Sequence, residues 1–174
     1  MTRRTVAAAI RAALLTAEPR AKVMAARAAA RDWRLGWLDF AFDLAMPDRP
    51  ARPARPELLP PNRMPKRGRG GSDKGRIALW HALAHIEFSA IDLALDAAGR
   101  FGGELGEGFV GDFLAVAADE AMHFALLDRR LRALARKIHR IAHWATGFRF
   151  LVGGRRVGSY PVMSRSLRMW RLAG

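Results

Sequence analysis

The sequence predicts an all-α protein, and three observations carry that expectation. Apolar residues recur at helical spacing through most of the first 134 positions. No convincing strand alternation occurs before residue 148. Proline and glycine gather in a few stretches, leaving long uninterrupted segments between them. The expected organisation is an N-terminal helical segment over 1–46, a Pro/Arg/Gly-rich linker over 47–75, a helix pair over 76–134 and a basic tail over 135–174. At 174 residues the chain has the length of one domain with a real core.

The first element reads as helix over 2–46, Ala-rich, with Ile10, Leu14, Val23 and Met24 at apolar positions. Its start, with Arg3 and Arg4 before an Ala-rich run, faintly resembles a targeting peptide. Arg11 interrupts the run and the periodicity continues through Arg27, so an ordinary amphipathic helix is expected. Trp33, Leu35, Trp37, Phe40 and Phe42 are expected to be core or docking residues. In the linker seven prolines between Pro47 and Pro65 forbid helix, and Gly68, Gly70 and Gly71 follow them. The segment is expected to lie as an extended strap over the surface, with Arg63, Lys66, Arg67 and Arg69 solvated.

Ser72 or Asp73 can cap the next helix, expected over roughly 75–100 and ended by Gly99, Gly102 and Gly103. Its apolar stripe comprises Ile77, Trp80, Leu83, Ala84, Ala90, Ile91, Ala94 and Leu95. A second helix is expected over roughly 108–136, with Phe109, Phe113, Val116, Ala117, Phe124, Leu127, Leu131 and Leu134 on one face.

Charge and composition narrow the functional classes. The absence of cysteine excludes disulfides, thiolate metal sites and cysteine nucleophiles, which is compatible with a cytoplasmic protein. No run of 18 apolar residues occurs, so no membrane-spanning helix is expected. The formal charge of +14 suggests nucleic acid or an anionic partner. Its distribution does not favour that reading: residues 129–174 hold twelve Arg and Lys and no acid, leaving the rest nearly neutral.

The chemistry-bearing pattern lies on the helix pair. Positions 80, 83, 84, 87, 90, 91 and 94 share one helix face, with Glu87 in the middle of the apolar stripe. Positions 113, 116, 120, 123, 127 and 131 share another, interrupted by Glu120 and His123 at i, i+3. Both acids are therefore expected to point inward, where an unpaired carboxylate costs several kcal/mol or shifts until it is neutral. Metal coordination removes that cost; so does an ion pair with His81, His85 or an arginine, and the pattern alone leaves both open. A lone Glu with Glu-x-x-His on a neighbouring helix is half of the di-iron carboxylate set of helical bundles. His81 and His85, at i, i+4, lie to the side of the stripe and suit supporting or interface roles. Asp119 and Asp92 lie off it, with solvated surface as the default and hydrogen bonding to ligand histidines as the alternative. His139 and His143 form another i, i+4 pair.

Four segments in order carry a resemblance: Arg-Pro-Glu-Leu-Leu-Pro-Pro (55–61), Gly-Arg-Ile-Ala-Leu-Trp-His-Ala-Leu-Ala-His-Ile-Glu (75–87), Ala-Ile-Asp-Leu-Ala-Leu-Asp-Ala (90–97) and Val-Ala-Ala-Asp-Glu-Ala-Met-His-Phe-Ala-Leu-Leu (116–127). Over roughly residues 5–134 the chain resembles a bacterial ferritin-like family known as domain of unknown function 455. The resemblance implies a ferritin-like bundle whose metal site combines a lone Glu, a Glu-x-x-His, a second lone Glu and a second Glu-x-x-His. Glu87 matches the first element, and Glu120 with His123 the second. The implied metal is iron, as a di-iron centre, or manganese, and the implied chemistry is of the oxidoreductase type with an unknown substrate.

The later half of the family pattern, with its second ligand set, has no counterpart in residues 135–174. That segment contains no carboxylate and is rich in Arg, Gly, Ser and Trp, as an out-of-frame translation of GC-rich DNA would be. The expectation is a partial bundle, about half of the metal-binding core, truncated after about residue 134 and inactive if the site stays incomplete. A homodimer is the expected assembly. The alternative reading is a protein that binds nucleic acid or an acidic partner through its basic tail.

Overall fold

The computed structural model describes residues 3–54 and 73–148, and all of its regular structure is helical. Helix α1 spans Val6–Leu14, α2 spans Pro19–Arg34, and α3 spans Asp73–Phe148. Among the described residues there is no strand, only an isolated bridge between Thr5 and Asp39.

The single helix expected over 2–46 is instead two helices and an extended return. Thr5 caps α1, its Oγ1 accepting from the Ala8 amide at 3.2 Å. Glu18 caps α2, its carboxylate accepting from the amides of Arg20 and Ala21 at 3.0 and 2.6 Å, with Pro19 pre-set for the first helical position. Side-chain acceptors thus begin two separate helices inside a run of continuous alanine periodicity. Gly36, at φ 65°, then reverses the chain beyond Arg34. The return runs beside α1: Val6 donates to Asp39 O at 2.9 Å, Asp39 to Arg4 O at 3.1 Å, and Ala51 to Leu14 O at 2.8 Å.

α3 is one helix only by continuity of hydrogen bonding. Gly106, at φ 89° and ψ 177°, breaks it into arms 73–105 and 107–148. The glycines expected to end the first arm do not do so. A Cβ on Gly99 would lie 2.5 Å from Met46 Sδ, and one on Gly102 would lie 2.5 Å from Val110 Cγ2 and 2.7 Å from Phe42 Cζ. Those two glycines are there for close approach of the neighbouring arm and of the 37–54 return; Gly106 makes the corner. The second arm also passes the expected boundary at residue 134 and continues to Phe148.

The arms pack along a seam in which Ala84, Phe88, Ile91, Leu95 and Ala98 meet Val110, Leu114, Ala117, Ala121, Phe124 and Leu131, all buried. The spacing alternates between four and three residues, as in coiled-coil packing. Phe88 and Phe124 touch across it with ring centroids 5.1 Å apart. Helices α1 and α2 join the same core through Val6, Ile10, Leu14, Val23, Ala26 and Ala29. The seam keeps Ala84, Ile91 and Leu95 of the first expected stripe and Ala117, Phe124 and Leu131 of the second, but is rotated by part of a turn toward their neighbours. Val116, expected in the core, is 45% exposed, while Phe88, Leu114 and Ala121 take the central places.

The linker residues 55–72 and the tail residues 149–174 lie outside the described residues, and with them Arg63, Lys66, Arg67, Arg69 and most of the basic tail. No side chain is described for His139 or His143. No helix among the described residues is long and apolar enough to cross a membrane.

Candidate metal centre

The rotated seam decides how the three ligand candidates sit. Glu87 immediately precedes Phe88, and Glu120 and His123 flank Ala121 and Phe124, so all three stand at the edge of the seam. Their side chains are 22%, 24% and 53% exposed. The expectation of deeply inward-pointing acids is corrected here. The arms pack along the neighbouring row of smaller and aromatic residues, which leaves the Glu/His row open on one side.

The trio nevertheless converges. One ligand atom from each of Glu87, Glu120 and His123 lies within 4.8 Å of the other two, across the two arms. His123 Nδ1 is 3.3 Å from Glu120 Oε2 and 3.5 Å from Glu87 Oε2. A hydrogen bond between the carboxyls pushes Glu87 above the usual carboxylate range; burial and the Glu120 charge act in the same direction. The same bond holds Glu120 below that range, and His123 holds it further down. The Glu120 hydrogen bond also raises His123, against a smaller effect of burial. Two acids forced together share a proton and lean on an imidazolium to offset their mutual repulsion. A divalent cation at the centre would replace both forms of compensation, and two carboxylate oxygens with one imidazole nitrogen suit iron or manganese. On donor type, convergence and an open approach side, the residues fit such an ion.

The other candidates fall apart from the trio. Asp119 is exposed, and neither it nor His81 nor His85 belongs to the convergent group. Burial lowers the pKa of His81. Burial, and then the Arg52 charge, lowers that of His85, whose Nε2 is enclosed without a hydrogen-bond partner among the described residues. Ser89 Oγ donates to the His85 carbonyl at 2.9 Å.

Asp92, expected at the solvated surface, is instead 3% exposed and is a charge centre that the sequence reading missed. Lys22, fully enclosed on α2, donates to Asp92 Oδ1 at 2.5 Å and to the carbonyls of Ala51 and Leu14 at 2.9 and 3.4 Å. Arg52 Nη2 stands 2.9 Å from Asp92 Oδ2 as an ion pair without hydrogen-bond alignment, and its guanidinium lies 5.0 Å from the Phe88 ring centre. The Lys22 ammonium also stands over that ring, at 5.3 Å. Burial pushes Lys22 down and Asp92 up, and their mutual hydrogen bond opposes both shifts. This cluster ties α2 and the 51–52 backbone to the arm that carries Glu87. Its signal in the sequence was Lys22 among the apolar spacings of Val23, Ala26 and Ala29.

Comparison with known proteins follows the same residues. The chain is 49% identical over 90 residues to an uncharacterized protein of Haemophilus influenzae; the match covers 48% of this chain and 31% of that relative. It therefore spans about a third of the length of the curated relative. No solved structure matches the chain. The model of a family described as protein of unknown function, DUF455, matches residues 15–137, a span that includes α2, the turns that carry Glu87, Glu120 and His123, and the buried ion cluster. The chain belongs to the DUF455 family.

Proposed function

We propose that Glu87, Glu120 and His123 bind a transition metal ion, iron or manganese, and that the helix pair is half of a ferritin-like di-metal carboxylate centre of oxidoreductase type. The observation that carries this reading is the convergence of the three donor atoms within 4.8 Å from two separate arms. Antiparallel arms bearing a lone Glu and a Glu-x-x-His support the ferritin-like assignment. When bound, the metal supplies redox and Lewis-acid chemistry.

The chain's own residues do the rest. Glu87 and Glu120 would offer carboxylate oxygens from the two arms, and any proton held between them must leave when a cation takes its place. His123 would ligate only as the neutral imidazole. The Phe88–Phe124 contact beneath the trio fixes the separation of the two ligand-bearing turns.

Equilibrium dialysis against Fe(II) under anaerobic conditions, or against Mn(II) in air, tests the assignment. Wild-type protein should retain metal, and Glu120→Ala should retain at least severalfold less. Equal retention by the variant would remove these residues from the site.

A further inference from the structure

We propose that the open face beside the trio receives a second copy of this chain across a twofold axis, each copy completing the other's ligand set. The inference rests on the metal reading above and adds the partner to it. Its basis is the surface surrounding the trio. Helical arithmetic from Glu87 places Ala94, Leu83, Ala90 and Leu79 on the Glu87 side of the arm, away from Asp92 and α2. Leu79 is exposed, Leu83 and Ala90 are half-buried, and Val116 beside Glu120 is 45% exposed. Apolar side chains thus adjoin a carboxylate/imidazole cluster on a face that no described element covers.

Three features select a second copy as the occupant. The first is stoichiometry. Bundle di-metal sites use two lone carboxylates and two Glu-x-x-His pairs, and the described face offers one of each. An isologous twofold contact presents every residue type twice, so the operation that covers the face also doubles the ligands. The second is charge. Two Glu87/Glu120 pairs brought face to face repel each other unless cations lie between them. Association and metal binding are therefore linked, as any ligand that binds only the assembled state requires.

The third is area. From Leu79 to Ala94 the arm is roughly 22 Å long, and two adjacent helices are about 20 Å wide, giving about 400 Å² per copy. A pair then buries about 800 Å², below the roughly 1,000 Å² expected of a stable interface. Apolar contact alone leaves the copies apart, and bridging metal supplies what is missing.

Sedimentation velocity on the full chain, metal-free and after anaerobic loading with Mn(II), tests the inference, with metal content measured on each separated species. The metal-free chain should sediment as a monomer and the loaded chain as a dimer carrying about one ion per chain. Val116→Lys, at a side chain already 45% exposed beside Glu120, should restore the monomer without loss of helical signal. A wild-type monomer that holds Mn(II) overturns the dimer and leaves the metal site standing. Failure to bind Mn(II) at all overturns both. A dimer that forms without metal, or that survives Glu87→Ala or Val116→Lys, also overturns the inference, because its interface then lies elsewhere or owes nothing to the ligands.

Discussion

Neutralising Asp92 should destabilise the fold far more than neutralising Lys22, although the two residues form one ion pair. With Asp92→Asn the shape is kept and the charge is lost. Lys22, with no exposed surface, is then a buried ammonium facing carbonyls and the Phe88 ring. Removing one partner of a buried pair costs about 3–5 kcal/mol, because the remaining charge is left uncompensated. In the reverse variant, Lys22→Met, Asp92 still has Arg52 at 2.9 Å. What is lost there is one hydrogen bond to Asp92 and the donor to two carbonyls, about 1–3 kcal/mol. The double variant should cost less than Asp92→Asn alone, since Arg52, with a side chain 23% exposed, can turn toward solvent. Against a typical domain stability of about 5–15 kcal/mol these differences are large. Urea denaturation followed by circular dichroism at 222 nm reads them directly. A cost below about 1 kcal/mol for Asp92→Asn, the range of exposed pairs, would refute the reasoning. So would a larger cost for Lys22→Met than for Asp92→Asn.

Two further predictions probe the helix corner and the buried histidine. Gly102→Ala should cost about 1–3 kcal/mol by overpacking against Val110 and Phe42, whereas Gly108→Ala, with nothing within 4 Å of the added methyl, should be neutral or slightly stabilising; thermal melting of the two variants separates them. Because burial lowers the pKa of His81, the stability that its neutral form contributes is complete above the unfolded value of 6.5 and is lost as pH falls through the lower folded value. His81→Phe should therefore flatten the stability profile on the acid side of pH 6.5, and an unchanged slope would place the titration elsewhere.

The helical class and the shared rows of Glu87, Glu120 and His123 were readable in the sequence for the same reason: both depend on spacing within a helix. Glu120 and His123 share a face at any packing angle, and Glu87 is an isolated acid in an apolar run. The rotation of each arm about its axis was not readable. Apolar residues occupy both the seam row at Phe88, Ile91 and Leu95 and the adjoining row at Leu83, Ala90 and Ala94, so composition does not say which row meets the neighbour. Only the packing of Phe88 on Phe124, with α2 behind it, settles that by choosing the seam row. The break at residue 18 did have a local signal, an acidic cap followed by proline, but it was submerged in unbroken alanine periodicity. Of the Lys22–Asp92 pair only Lys22 had a local signal, its place among the apolar spacings of α2. Its partner lies 70 residues away, and Asp92 alone looks like an ordinary solvated charge.

Gly106 turns the chain without a loop, and this converts separation along the chain into address in space. Phe88 and Phe124 each lie eighteen residues from it, and Gly102 and Val110 each lie four. The arms are folded like a ruler at one mark, so partners across the seam are mirror positions. Inserting a single residue between the corner and Glu87 would turn that carboxylate by about 100° and slide it about 1.5 Å along the arm, away from Glu120 and His123. Seven inserted residues would restore the angle but displace it by about 10 Å. Length changes can be absorbed only in matched pairs on both arms, or outside the interval from Glu87 to His123. Any relative that keeps the one-residue corner is therefore held to the 33-residue interval between Glu87 and Glu120, or to one lengthened or shortened equally on both arms.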